Sequence, residues 1–235
     1  MELKTDRELS TSPVVANCRM NRERVLAGGN SCSRDLRMNP LEFLQTRLEK
    51  QAAVRWLDLC CGRGRALIEA AEQLSDLKER VDIVGLDLAG LFDSRAETEV
   101  QFVESAIEDW QPSNAFDLIT FVHGLHYVGD KLGAIARAVS WLTKDGLFVG
   151  HLDPGNIRHR SIRSFGRRAA RHLRNSGLDY DTRRRLVRCS GHRKIDIPWQ
   201  YLGADDEAGP NFTGQPAVNS WYADSALMQS DGDVE

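Results

Sequence analysis

Between residues 54 and 152 the chain alternates short apolar segments with segments of helical spacing, and this alternation limits the fold more than any other feature. The apolar segments are rich in Val, Ile, Leu and Phe and cover residues 54–59, 81–88, 100–104, 116–122 and 147–152. Residues 65–77 and 132–142 carry apolar side chains at the spacing of a helix. Near-continuous apolar strands separated by helices are typical of a parallel sheet covered on both faces. Right-handed crossovers then predict an α/β fold with a doubly wound, mostly parallel sheet.

The residues on either side of this stretch complete the predicted architecture. Residues 1–50 are mostly polar, and a helix begins after Pro40; we expect an arm or helical lid that closes over a ligand. Residues 51–235 would then form one domain. Within it we predict a basic helical insertion over 158–193, the last two of seven strands over 194–202 and 216–222, and an acidic tail over 224–235.

Charge is distributed unevenly along the chain, although the formal net charge is only −3. Residues 158–194 carry 13 Lys and Arg against two acids, and the remaining residues have a net charge of −14. The predicted basic helix places five residues on one face: Arg160, Arg163, Arg167, Arg171 and Arg174. A second short helix is predicted from Asp181 to Gly191. The basic face is either a binding surface for an anion or a solvated face balanced by acidic neighbours.

Composition excludes several classes of protein. A chain of 235 residues that is 41% hydrophobic and 28% charged suits one large domain, not a disordered chain or a disulfide-stabilised miniprotein. No apolar run approaches ~18 residues, so we expect no membrane span. The first twelve residues lack the apolar segment of a secretory signal. The five cysteines form no CxxC pair, and we expect free thiols in the cytoplasm.

The strand ends carry the candidate chemistry, because ligands of doubly wound sheets bind at the carboxyl ends of the strands. The first strand runs into residues 58–65, which read DLCCGRGR, and glycines there let a ligand approach the backbone. Asp87 ends the second strand, where a carboxylate can accept both hydroxyls of a ribose. Each feature alone also fits an ordinary turn; together in one βαβ unit they favour a nucleotide-like ligand.

Five segments in order resemble the motifs of class I S-adenosylmethionine-dependent methyltransferases. The first, LDLCCGRGRAL at 57–67, is similar to the family's LDLGCGTGR, and GLDL at 85–88 to its second motif. The other three are FVESAIEDW at 102–110, FDLI at 116–119 with HGLHY at 123–127, and LTKDGLFV at 142–149. The resemblance covers residues 54–152 and implies S-adenosyl-L-methionine as cofactor, S-adenosyl-L-homocysteine as product and a Rossmann-like fold.

The resemblance also implies a role for each matched position. Asp58 would lie near the methionine ammonium, with Cys60, Gly62 and Gly64 lining the loop beside it. Asp87 would bind the ribose and Leu88 would pack on the adenine. Ala106 and Ile107 would flank the adenine edge, and His123 would face the methyl group.

Two positions depart from the family pattern. Cys60 replaces the usual first glycine, which narrows that side of the loop. Ala106 replaces an aspartate that accepts the adenine amino group, so this hydrogen bond would come from Glu108 or be lost at a cost of about 1 kcal/mol.

The candidate acceptor residues follow the fourth and fifth strands. His123, His126 or His151 would act as general base if the acceptor must lose a proton; otherwise these are loop histidines bonded to backbone. Tyr127 and Asp153 would face the acceptor, and Arg160, Arg163 and Arg167 would bind an anionic group on it. A metal site from these histidines and Asp153 is conceivable, but we expect no metal.

A small-molecule oxygen, nitrogen or carbon acceptor fits best, because the fourth motif lacks the Asn/Asp-Pro-Pro-Tyr segment of enzymes that methylate exocyclic amines. An RNA acceptor is an alternative, although the basic stripe lacks interleaved aromatic residues. Other chemistry on the same cofactor, or a non-catalytic scaffold, also remains open. We expect a monomer or homodimer without a membrane partner.

Overall fold

The computed structural model describes residues 3–9, 11–16, 23–93 and 99–225, and ten strands in two sheets form its framework. The strands are β1 Val54–Leu59, β2 Val81–Asp87, β3 Val100–Glu104, β4 Phe116–Phe121, β5 Leu142–His151, β6 Ile157–His159, β7 Asp179–Asp181, β8 Leu186–Ser190, β9 Trp199–Asp205 and β10 Asn219–Asp224. The larger sheet has seven strands in the order β3-β2-β1-β4-β5-β8-β7. Its first five strands are parallel, and β8 pairs antiparallel with both β5 and β7. The predicted doubly wound, mostly parallel sheet is confirmed.

Seven helices accompany the strands in the described part of the chain. They are α1 Asp6–Leu9, α2 Pro13–Ala16, α3 Cys32–Leu36, α4 Pro40–Leu48, α5 Arg65–Gln73, α6 Lys131–Ser140 and α7 Phe165–Asn175. The helix predicted after Pro40 is present as α4, where Asn39 Oδ1 accepts the Leu41 N–H over 3.0 Å. Asp130 caps α6 in the same way, accepting the Gly133 N–H over 2.9 Å.

Apolar side chains pack on both faces of the large sheet, which is why its strands read as continuous apolar runs. All six residues of β4 are buried. Trp56 of β1 is fully buried, and its Nε1 donates to Thr120 Oγ1 of β4 over 2.8 Å. The two central strands are thereby joined by a side-chain hydrogen bond inside the core.

The short helix predicted from Asp181 to Gly191 is wrong: the structure has a β-hairpin there, formed by β7 and β8. Asp181 does cap a turn, but its Oδ1 accepts the N–H groups of Arg183 and Arg184 in the hairpin loop. Gly191, with a φ of 75°, ends β8 rather than a helix. Pairing with the long edge of β5 favours the extended form. It gives hydrogen-bond partners to backbone N–H and C=O groups of β5 that a short helix would leave unpaired.

The strands predicted over 194–202 and 216–222 are present as β9 and β10 but do not join the large sheet. With β6 they form a separate three-stranded sheet, and the hairpin occupies the edge they were expected to fill. The prediction that five arginines share one helix face is wrong in part: α7 begins at Phe165, so Arg160 and Arg163 precede it and only Arg167, Arg171 and Arg174 lie on it.

Lys131 joins the three-stranded sheet to the rest of the molecule. Its side chain is fully buried, and its Nζ donates to the carbonyls of Val128 and Val218 and to Ser220 Oγ, over 2.7–3.1 Å. Next to it, Tyr222 Oη accepts the Leu132 N–H over 3.0 Å. Because a buried ammonium needs acceptors, this contact fixes β10 against the start of α6.

The N-terminal arm contacts the three-stranded sheet. Lys4 and Ala204 exchange two backbone hydrogen bonds, and Ser12 Oγ donates to Asp206. Leu9 packs against Ala204 and Val218. Residues 17–22 of the predicted lid and 226–235 of the predicted acidic tail lie outside the described residues.

Helix α7 starts in close contact with the turn after β5. A Cβ on Gly166 would lie 1.8 Å from the carbonyl oxygen of Pro154. Only glycine at this position lets the basic helix sit against the Pro154 turn.

Replacing Gly166 with Ala should therefore destabilise the fold, although alanine is the better helix former by about 1 kcal/mol. We expect a loss of about 2 kcal/mol or more in the free energy of unfolding, measured in urea, because backbone must move. Gly29→Ala is the control, since its Cβ would meet no atom within 4 Å. A Gly166→Ala protein as stable as the wild type would contradict this packing.

Candidate active site

The loop between β1 and α5 is tightly folded at the carboxyl edge of the sheet. Cys60, Gly62 and Gly64 take left-handed φ angles of 56°, 61° and 73°. The Gly62 N–H donates to Asp87 Oδ2 over 2.9 Å, at the end of β2. A Cβ on Gly64 would lie 2.2 Å from the Phe102 ring, so the position requires glycine.

A cleft opens beside this loop, where β1, β2, β3 and β4 end. We call it the glycine-loop cleft. Asp87 lies on its wall and also accepts the Ala89 N–H over 3.0 Å, on Oδ1. The apolar residues Leu88, Ala106 and Ile107 line the same wall, and Leu9 and Val15 of the N-terminal arm line the cleft as well. The cleft thus combines a rigidly held carboxylate with apolar surface.

Most residues predicted to bind a cofactor line this cleft. They are Cys60, Gly62, Asp87, Leu88, Ala106 and Ile107, together with Glu108. Tyr127, predicted to face the acceptor, also lines it. Asp58, Gly64 and His123 are not among the lining residues.

Asp58 is buried beneath the loop, with 5% of its surface exposed. Its Oδ1 accepts a hydrogen bond of 2.5 Å from Thr120 Oγ1. Burial raises the pKa of Asp58 to about 7, because desolvation of the carboxylate outweighs the hydrogen bond from Thr120. Asp58 makes no ion pair with another described residue, so a positive group close to it would stabilise its charged form.

Three histidines meet at the ends of β4 and β5, and we call them the histidine cluster: His123, His126 and His151. The His123 ring stacks on His151 with 3.9 Å between centroids, and His123 Nδ1 lies 3.5 Å from His126 Nε2. His123 takes a left-handed φ of 57°, a strained conformation for a residue other than glycine. The sequence placed these residues after two neighbouring strands, and the structure brings them into contact.

Burial keeps the histidine cluster neutral. Desolvation lowers the pKa of all three imidazoles, that of His151 to about 2 and that of His126 well below its usual value. The Nδ1 atoms of His126 and His151 are buried and have no hydrogen-bond partner among the described residues. A neutral imidazole with an unpartnered nitrogen can accept a proton or hydrogen bond from a ligand.

Asp35 of α3 supports the histidine cluster from the N-terminal part of the chain. Its Oδ2 lies 3.4 Å from His123 Nε2 and also pairs with Arg24, which is buried. Burial alone would raise the pKa of Asp35, but the hydrogen bond with His123 and the Arg24 charge hold it below its usual value. Sequence reasoning missed Asp35 because no local pattern links it to His123.

Phe212 covers the histidine cluster from the loop between β9 and β10. Its ring centroid lies 5.4 Å from that of His126, 5.8 Å from that of His123 and 6.1 Å from that of His151. The ring is 42% exposed, one of few large apolar side chains on the described surface. A single aromatic residue in a polar, glycine-rich loop was its only signal in the sequence.

Arg185 connects the histidine cluster to a second cleft. Its guanidinium lies 5.8 Å from the Phe212 ring centroid, and its Nη1 donates to Asp153 Oδ1 over 2.5 Å. The second cleft, which we call the arginine cleft, is lined by Arg158, Arg163, Arg167, Arg171, Arg174 and Arg185. Of the three arginines predicted to bind an acceptor, Arg163 and Arg167 lie there, whereas Arg160 is exposed outside it.

Neither a metal-binding group nor a membrane span is found in the part of the chain that the structure describes. No three His, Cys, Asp or Glu side chains there have the arrangement of a metal site. No helix among these residues has the length and apolar character needed to cross a bilayer. Of the five cysteines, Cys32, Cys60, Cys61 and Cys189 are free thiols.

The buried histidines and Asp58 should affect stability with opposite signs as the pH falls. The pKa of His151 is depressed to about 2, so its contribution is present above the unfolded value of about 6.5 and is lost below it, by ~1.4 kcal/mol per pH unit. The pKa of Asp58 is raised to about 7, so its contribution is lost as pH rises from about 4 to about 7.

Urea unfolding between about pH 7 and pH 5 measures both effects. His151→Gln should lose less stability on acidification than the wild type, and Asp58→Asn should lose more. His192→Gln, at an exposed position, should match the wild type. Equal slopes in all four proteins would contradict the burial of these charges.

Comparison with known proteins is consistent with this geometry. The chain matches the family described as "Methyltransferase domain" over residues 32–192, more than half of its length. Comparison with curated proteins finds no match.

Solved structures of methyltransferases are similar at low identity. The plantazolicin methyltransferase BpumL, bound to a monoazolic desmethylPZN analog and SAH, is 16% identical with a TM-score of 0.44, over 61% of this chain and 55% of that one. BamL, bound to a triazolic analog and SAH, is 17% identical with a TM-score of 0.46, over 64% and 56%. CalS10 from Micromonospora echinaspora, an amino pentose methyltransferase bound to SAM, is 21% identical with a TM-score of 0.37, over 47% of each chain. This chain thus spans about half the length of each.

The family match includes the glycine loop, Asp87 and the histidine cluster, and the strand order and the cleft at the strand ends agree with it. The chain belongs to the methyltransferase family whose domain its residues 32–192 match.

Proposed function

We propose that this protein binds S-adenosyl-L-methionine in the glycine-loop cleft and transfers its methyl group to a small molecule held beside the histidine cluster. One observation carries the proposal. The glycine-loop cleft opens at the carboxyl ends of β1 to β4, and Gly124, which lines it, lies next in the chain to His123. A cofactor cleft and a set of candidate acceptor residues therefore adjoin.

The residues of the glycine-loop cleft fit an adenosyl group. Asp87 lies on the wall of the cleft, and the N–H groups of Gly62 and Ala89 fix the orientation of its carboxylate, which can accept hydrogen bonds from ribose hydroxyls. Leu88, Ala106 and Ile107 offer apolar surface to a planar base. A Cβ on Gly124 would lie 2.4 Å from that of Cys60, so the loop and the turn after β4 approach as closely as backbone allows.

Asp58 suits the positive end of the cofactor. Its buried carboxylate has a pKa of about 7 and makes no ion pair with another described residue. An ammonium group bound close to it would favour the ionised form and hold that end of the ligand in place. When bound, S-adenosyl-L-methionine supplies an electrophilic methyl group on a sulfonium, whose thioether leaves without an acid.

The chain's own contribution to the reaction is alignment and proton acceptance. Methyl transfer in line with the leaving sulfur depends on holding the acceptor at the correct distance and angle. Burial keeps His126 neutral at pH 7, so it can take a proton from an acceptor oxygen or nitrogen. Asp35 and His123 position this imidazole, because His123 is held by Asp35 on one side and contacts His126 on the other.

Phe212 determines access to the histidine cluster. We infer that the acceptor enters by displacing this ring, which lies over all three imidazoles. Closure of the loop over the acceptor would then exclude water from the site.

Calorimetric titration tests the cofactor part of the proposal. S-adenosyl-L-methionine and S-adenosyl-L-homocysteine should each bind at one site, and Asp87→Asn should weaken binding by about 10-fold or more, because it loses charge-assisted hydrogen bonds. Asp82→Asn is a matched control, since Asp82 lies at the other end of β2 in a surface ion pair with Arg55. Absence of binding to the wild type would overturn the proposal.

Product analysis tests methyl transfer itself. With methyl-labelled cofactor and the small-molecule fraction of a cell extract, we expect labelled small molecules and an equal amount of S-adenosyl-L-homocysteine. His126→Gln should lower kcat by about 100-fold or more with unchanged cofactor affinity if it accepts a proton. His192→Gln should leave both unchanged. Label in RNA, or methylthioadenosine as the product, would refute this assignment.

A further inference from the structure

The arginine cleft has a charge that its surroundings do not balance. It has a volume of about 520 Å³ and lies open to solvent between the turn after β5, one face of α7 and the β7–β8 hairpin. Six arginines line it, and no aspartate or glutamate does. Among the described residues only Arg185 has a carboxylate within ion-pair distance, that of Asp153. The other five arginines are exposed to solvent and make no ion pair with a described residue.

Hydrogen bonds to uncharged groups hold these arginines in place but do not offset their positive charge. Arg167 donates to Ser164 Oγ over 2.9 Å, and Arg174 donates to the Tyr180 carbonyl over 3.1 Å. Arg168 on the same helix behaves differently, because its guanidinium lies over the Trp199 ring outside the cleft. Among the arginines of α7, Arg167, Arg171 and Arg174 therefore line the cleft, whereas Arg168 packs outside it.

Guanidinium groups bind phosphate and carboxylate in pairs of hydrogen bonds, because their paired N–H donors match the oxygens of both anions. A concave site with several of them suits a phosphate ester or diphosphate, which carries two or more charges. A cleft of about 520 Å³ falls within the range of small-molecule sites.

The arginine cleft also adjoins the histidine cluster. Arg185 lines the cleft, and its guanidinium approaches Phe212, which covers the three imidazoles. A ligand with its phosphate among the arginines can thus extend past Arg185 to the place where we locate methyl transfer.

We propose that the arginine cleft binds the phosphate or diphosphate group of the methyl acceptor, so that the acceptor is a phosphorylated small molecule. This assignment of the ligand rests on the proposed function. The anion site itself depends only on the arginines.

Binding of inorganic pyrophosphate to the full chain at low salt, measured by calorimetry, tests the anion site. We expect one site in the wild type, weakened about 10-fold by Arg167→Gln and by Arg171→Gln, because each loses a charge-assisted contact. Arg168→Gln is the matched control, with the same helix and charge change, and should bind pyrophosphate as the wild type does. No saturable binding, or an equal effect of all three substitutions, would overturn the proposal.

Two further titrations separate the possible failures. A single-stranded RNA oligonucleotide that binds more tightly than pyrophosphate, and loses affinity in the same two variants, would replace the proposal by a nucleic-acid surface. S-adenosyl-L-methionine should bind the wild type and Arg171→Gln equally. If pyrophosphate binds but the cofactor does not, the anion site stands, and its ligand is not a methyl acceptor.

Discussion

The site depends on one constraint, which is that five neighbouring strands run in the same direction. Their carboxyl ends must then open at one edge of the sheet, and the residues that follow them are brought together whatever their separation in the chain. The glycine loop, Asp87, the segment at Ala106 and the histidine cluster all follow from this arrangement. Because the strands are buried on both faces, this edge is also where polar groups can gather without disturbing the core.

Electrostatics divide this edge into two regions. Around the loop after β1, the buried carboxylate of Asp58 makes no ion pair with another described residue, and burial raises its pKa despite the charge of Arg24, so a positive ligand close to it would favour its ionised form. Beyond the histidine cluster, six arginines and no acidic residue line the arginine cleft, with Asp153 paired to one of them, and this region favours a negative ligand. Between them lie imidazoles that burial keeps uncharged. Uncharged imidazoles with a carboxylate on one side and arginines on the other would orient a positive and a negative ligand so that their other ends meet at the histidine cluster.

Sequence reasoning predicted the features that are encoded locally. The glycine loop and Asp87 belong to one βαβ unit, so their spacing indicates their proximity. The hairpin at 179–190 was misread because Asp181 and Gly191 fit a helix cap and a turn equally well, and only the edge of β5 decides between them. Asp35 and Phe212 could not be found at all, since each reaches the histidine cluster from a separate region of the chain. The sequence also left open whether the basic face was a binding surface or a solvated one. In the structure, arginines of this face line a concave surface, and helical periodicity alone does not reveal a cleft.

The buried ammonium of Lys131 indicates that the folding unit of this protein extends beyond the residues of the family match. The family match ends at residue 192, but two acceptors of Lys131, Val218 and Ser220, lie beyond it. A chain cut at the family boundary would remove both of these hydrogen bonds from a fully buried ammonium. The three-stranded sheet is therefore part of the minimal folding unit and not a dispensable addition to it.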